Sequence, residues 1–184
     1  GKTYKLPEVF VVIATQNPIE SEGTYVLSEA QLDRFLMKIN MGYPEKDDEV
    51  LILNRFLTSN PEITLEKVAT CEDIIAMKED AKNVYIHPVL IEYIVELARM
   101  TRKEENVLTG VSPRGTLGML NAARAYAYVA GRDYVVPEDI KILAPYVWAH
   151  RLVLQTGFMN RDNKEQIIGN VVSKTAVPTE DWNR

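Results

Sequence analysis

Polar side chains directly behind an apolar run are the first place this sequence offers chemistry, and here they are Thr15-Gln16-Asn17, after Glu8 to Ala14. In open α/β sheets, ligands bind beyond the carboxyl ends of the strands, so Asn17 is a candidate active-site residue. Asn17-Pro18 equally suits a plain turn. A second candidate lies in Gly110-Val111-Ser112-Pro113-Arg114-Gly115-Thr116. Ser112 as N-cap and Pro113 at the first helical position place Arg114 in the first turn of a helix. Its charge there adds to the positive helix end and can meet an anion; the plainer alternative is a surface arginine. The same stretch is not a Walker A loop, which needs Lys after the second glycine and a strand before the first. Asp33-Arg34 is a third polar pair, and for an arbitrary sequence it would be a solvated ion pair.

These residues need elements to position them. Glu8 to Ala14 is continuous, rich in β-branched residues and bounded by Pro7 and Pro18, which predicts a strand buried on both faces. Nothing later in the chain matches it, and a lone buried strand cannot satisfy its backbone groups, so its partner strands are expected upstream. Ser28-Glu29-Ala30-Gln31 has the form of a capping box and predicts a short helix over about 29–36. Gly42-Tyr43-Pro44 breaks the pattern, and the domain boundary is placed there. Acidic Glu45, Asp47, Asp48 and Glu49 then open a helix over about 45–58, ending near Asn60-Pro61.

Further helices follow. Thr70 and Asp73 cap one over about 71–80, and His87-Pro88 opens another to about 103 with Leu90, Ile94, Leu97 and Ala98 in one stripe. Ser112-Pro113 starts an alanine-rich helix to about Ala130, Val136-Pro137-Glu138-Asp139 starts one to about His150, and a last one spans about 163–174. The fold class expected is mainly α: a truncated α/β segment with one strand and a short helix, then an all-α bundle.

The stretch from Ala14 to Glu22, with Gly23-Thr24-Tyr25 and Ser28-Glu29-Ala30-Gln31-Leu32-Asp33-Arg34-Phe35, closely resembles the segment that MoxR-type AAA+ ATPases carry after their ATP-binding motifs. A proline commonly precedes the glutamate of E-A-Q-L in that family; Ser28 stands here, which alters a cap and not a catalytic group. Ser112-Pro113-Arg114 resembles the family's lid motif, and Tyr134 to Leu152 is also similar to lid sequences. The resemblance implies 1–42 as the C-terminal end of the AAA+ nucleotide-binding core and 43–184 as the helical lid domain. It implies Asn17 as sensor 1, Arg34 as an arginine finger acting in trans, and Arg114 as sensor 2 on the nucleotide phosphates. It further implies ATP and Mg as cofactors of the full-length parent. The parent is expected to form a ring, a hexamer, that remodels proteins or inserts metals, with von Willebrand A-domain proteins as partners. A non-catalytic helical interaction module and a magnesium-chelatase-like AAA+ subunit are the alternatives. Those site roles suit phosphoryl transfer, in which an amide holds a water without adding charge and a guanidinium neutralises the γ-phosphate oxygens.

Composition narrows the field further. The 184 residues are 46% hydrophobic and 26% charged, as in an ordinary globular protein. A net charge of -5, with dispersed basic residues, disfavours nucleic acid as a partner. Cys71 is the only cysteine, which excludes an intramolecular disulfide and fits a cytoplasmic setting. It sits in a helix's first turn and is expected to be a small core residue, and Tyr146 and Trp148 on an apolar helix are expected to be core as well. Neither His87 nor His150 has a partner at ligand spacing, so no metal site is expected. No apolar run nears the roughly 20 residues that span a bilayer, so no membrane insertion is expected. The chain begins at Gly1 rather than Met and is expected to be part of a longer protein. It has no Walker A, and Asp48-Glu49 follows no apolar strand as a Walker B would, so this segment alone is expected to be inactive, with no ATP bound.

Overall fold

Short-range caps set where most helices begin. The computed structural model describes residues 2–16, 27–58, 65–155, 162–179 and 182. Their helices are α1 (Glu29–Leu32), α2 (Lys46–Thr58), α3 (Cys71–Asn83), α4 (Pro88–Thr101), α5 (Pro113–Val129), α6 (Pro137–Trp148) and α7 (Asp162–Lys174), with a 3-10 turn at Ala149–Arg151. Before α3, Thr70 Oγ1 accepts from the Asp73 amide (3.1 Å) while the Thr70 amide donates to the Asp73 carboxylate (2.7 Å). These bonds hold the Asp73 carboxyl below the usual carboxylate range. His87 caps α4, its Nδ1 accepting from the Val89 amide at 3.3 Å. At α1 the box is half formed: the Ser28 amide and its hydroxyl both donate to the Gln31 side-chain oxygen.

The bundle core is formed by α4, α5, α6 and α7. Leu90, Leu97, Met119, Ile140, Trp148, Ile168 and Val171 are essentially inaccessible to solvent. Ala122, Ala123 and Ala127 are buried along α5, where small side chains admit close neighbours. Beyond α5, Arg132 forks onto Asp139 (2.9 and 2.6 Å), and Asp139 also accepts from the Val136 amide, which satisfies a carboxylate only 2% exposed. A two-stranded antiparallel sheet joins β1 (Val107–Thr109) to β2 (Val153–Leu154), with a bulge between Val107 and Thr109. These strands are too short to show a period of two, so they are not legible in the sequence.

Four expectations are corrected. Residues 8–14 form no strand: they have no regular secondary structure, and Phe10, Val11, Val12 and Ile13 are exposed. Strand pairing needs a neighbour, and among the described residues none pairs with this run. The helix expected to reach about residue 36 stops at Leu32, because the carbonyls of Asp33 and Phe35 are taken by a distant arginine. Cys71 is exposed rather than buried. Of the two aromatic residues on α6, Trp148 is core while Tyr146 is 44% exposed. Asn60-Pro61, near which α2 is expected to end, lie outside the described residues. Among the described residues no helix is long and apolar enough to cross a membrane.

Candidate functional site at the start of α5

The loop entering α5 is tied down from behind. The buried Thr101 hydroxyl accepts from the Val111 amide (3.0 Å) and donates to the Ala98 carbonyl, and Arg102 Nε donates to the Val111 carbonyl (2.9 Å). Gly110 is required there, since an added Cβ would stand 2.7 Å from Arg102 Cγ and 2.8 Å from Thr101 Oγ1. Ser112 then caps α5, accepting from the Gly115 amide at 3.3 Å. Arg114 follows in the first turn, with a side chain 60% exposed. An exposed guanidinium thus sits at one positive helix end.

Asp33 binds this end to the distant N-terminal part of the chain. Its carboxylate accepts from Ser112 Oγ (3.3 and 3.5 Å), lies 3.6 Å from Arg114 Nη1 and takes a 2.7 Å bond from Arg151 Nη1. The Asp33–Arg34 ion pair is not formed. Arg34 is exposed, and among the described residues its guanidinium has no hydrogen-bond or ion-pair partner. The Arg114–Asp33 contact is long and solvated, so it holds Arg114 only weakly, by at most about 1 kcal/mol. An incoming anion can therefore compete for it. The structure brings Arg114 and the turn bearing Arg34 to one place; Asn17 lies outside the described residues.

Arg151, which sequence reasoning missed, is the buried centre of this arrangement, its side chain 2% exposed. Gly115 leaves room for it, since an added Cβ would meet Arg151 Cδ at 3.2 Å and Val111 Cγ1 at 2.6 Å. Neighbouring His150 is also buried and pairs through Nε2 with the Phe35 carbonyl at 3.2 Å, while Trp148 Nε1 donates to the Gly115 carbonyl at 2.9 Å. Burial pushes the His150 imidazole below its ordinary range, the Phe35 carbonyl opposing and the Arg151 charge assisting. A usable signal existed: Arg151 is a lone cation between the apolar end of α6 and Leu152-Val153-Leu154, where a charge must find a buried partner. Among the described residues no group of three or more His, Cys, Asp or Glu side chains could hold a metal ion.

Residues 1–37 match the model of the ATPase family associated with various cellular activities (AAA), and residues 99–171 match that of the AAA lid domain. YeaC of Bacillus subtilis is 44% identical over 181 residues, which is 98% of this chain and 57% of that protein. Chaperone MoxR1 of Mycobacterium tuberculosis is 40% identical over 188 residues, covering 97% of this chain and 49% of its own length. The chain thus spans about half the length of the curated relatives it matches. The crystal structure of a protein described as an ATPase from Cytophaga hutchinsonii superposes with a TM-score of 0.85 at 34% identity, over 96% of this chain and 56% of that one.

Proposed function

The chain belongs to the MoxR-type AAA+ ATPases, and on that premise we propose that it supplies the sensor 1, arginine-finger and lid portion of an ATP-hydrolysing ring. Residues 1–42 are the end of the nucleotide-binding core and 43–184 the lid. Asn17 orients the attacking water, Arg34 reaches the nucleotide of a neighbouring subunit, and Arg114 contacts the phosphates of its own. The ring, a hexamer working in the cytoplasm, remodels proteins or inserts metals, with von Willebrand A-domain proteins as partners.

The observation that carries this proposal is the convergence of Arg114 and the Arg34 turn on Asp33. ATP fits Arg114, whose exposed fork of donors sits on a positive helix end suited to phosphate oxygens. Bound Mg would neutralise charge developing on those oxygens, and we assign its ligands to the part of the protein that carries the Walker motifs. What these residues do themselves is electrostatic: Arg114 exchanges the carboxylate of Asp33 for a phosphate, and Arg34 remains free to reach outward. The segment alone should therefore not turn over ATP, and turnover by the purified chain above an unrelated control protein would contradict this. In the full-length protein, Arg114→Ala should weaken the nucleotide response with little change in melting temperature, because an exposed ion pair contributes little stability. A large loss of stability with nucleotide response intact would make Arg114 a structural residue instead.

A further inference from the structure

A guanidinium has five N–H donors and no acceptor, so burying one demands acceptors for all five. Arg151 finds them. Nε donates to the Val147 carbonyl (2.8 Å), Nη1 to the Asp33 carbonyl and its carboxylate (2.7 Å), and Nη2 to the carbonyls of Phe35 (2.7 Å) and, more loosely, Leu36 (3.4 Å). One side of the fork is thus bonded to its own helix end, and the rest to the Asp33 carboxylate and to backbone on both sides of Arg34. The side chain of Arg34, between the bonded residues, stays exposed. His150 holds the same Phe35 carbonyl, and the Lys38 amide donates to the Tyr146 carbonyl at 2.9 Å.

We infer that Arg151 is the positioning residue for Arg34: the lid, through one buried guanidinium, sets the direction in which the exposed arginine projects. Because Asp33 is shared with Arg114 and Ser112, the same contact links the phosphate-facing helix start to the Arg34 turn. A lysine cannot replace it, having three donors on a single nitrogen rather than a planar fork. Glycine at position 118 belongs to the same device, since its face of α5 lies 3.5 Å from Arg151 Nη2 and 3.6 Å from Leu36 when measured from an added Cβ. The catalytic consequence rests on the proposal that Arg34 is the finger, whereas the clamp itself does not.

Two arms separate these. In the chain itself, backbone NMR relaxation should give Arg34 an order parameter near about 0.85, falling below about 0.6 in Arg151→Lys while the α5 amides keep theirs. Should Arg151→Lys not fold, the unsubstituted chain still answers, because protected Arg151 guanidinium protons must show contacts to the Phe35 backbone. Absence of those contacts, or a rigid Arg34 in folded Arg151→Lys, overturns the clamp. In the full-length ring, Arg151→Lys should lower kcat by about 100-fold, a loss that an ångström of misplacement can cause, with KM for ATP little changed. Adding Arg151→Lys to Arg34→Ala should cause little further loss. An unchanged kcat in Arg151→Lys overturns the positioning role, and independent, additive losses from the two substitutions do the same. If Arg34→Ala alone keeps full turnover while the clamp is seen by NMR, it is the finger assignment that is overturned.

Discussion

Residues 84–155 and residues 46–58 are about equally rich in large apolar side chains, yet they meet opposite fates. In the first, Leu90, Leu97, Met119, Trp148 and Leu152 are almost completely buried; in the second, Leu51, Leu53, Phe56 and Leu57 are each more than 60% exposed. Residues 10–13 resemble the second region. Apolar content alone does not make a core, because an apolar face is buried only where a complementary surface is present to cover it. The bundle supplies its own complement. The segment from Asp33 to Lys38 lies between these extremes, held to the bundle mainly by polar bonds to its backbone rather than by burial of its side chains.

The sharpest way to break this comparison is to truncate one large aromatic residue on each side. Trp148→Ala removes a side chain that fills the core and donates to the Gly115 carbonyl, and should cost about 3–5 kcal/mol of unfolding free energy. Phe56→Ala, at a site 61% exposed, should stay within about 0.5 kcal/mol. Denaturant unfolding of the two variants beside the native chain measures both. Equal losses would mean that α2 is packed in solution and that the two regions do not differ.

A smaller effect concerns the intermediate segment. His150 holds its neutral form in the folded state, with a pKa below the unfolded value of about 6.5. The unfolded chain therefore binds more protons between these two values, so stability from this site is fully present above about pH 6.5 and declines as pH falls toward the folded pKa. Melting curves at pH 7.5 and 5.5 should show a larger drop for the native chain than for His150→Gln. Parallel drops would mean that His150 titrates normally and the segment around Phe35 is open to water.

Much of the fold was legible where local chemistry decides. The capping residues Thr70, His87 and Ser112 marked the starts of α3, α4 and α5, and the stripe of Leu90, Ile94, Leu97 and Ala98 marked a buried face. What escaped was decided at a distance. The end of α1 depends on Arg151, 118 residues beyond Asp33, and no local pattern can express that. The apolar run at 8–14 reads as a buried strand, but a strand needs partners that the described residues do not offer, and the run is exposed. At the site, Arg114 was singled out by its setting at a capped helix start and Arg34 by the family resemblance, whereas the partners of Asp33 were not legible. Adjacent charges suggested an Asp33–Arg34 pair; the fold spends Asp33 on Arg151, Ser112 and Arg114 and leaves Arg34 exposed.

That exposed arginine is the heart of the functional account, and subunit mixing tests it most directly. Removing an arginine finger typically costs on the order of 10³ to 10⁵ in rate, so full-length Arg34→Ala subunits should assemble and bind ATP yet turn over very slowly. Mixed with subunits disabled only in their own ATP site, they form some interfaces that join an intact site to an intact Arg34. Turnover should partly return in such mixed rings. If mixed rings demonstrably form and restore nothing, or if Arg34→Ala alone keeps its full rate, Arg34 does not act across the subunit boundary.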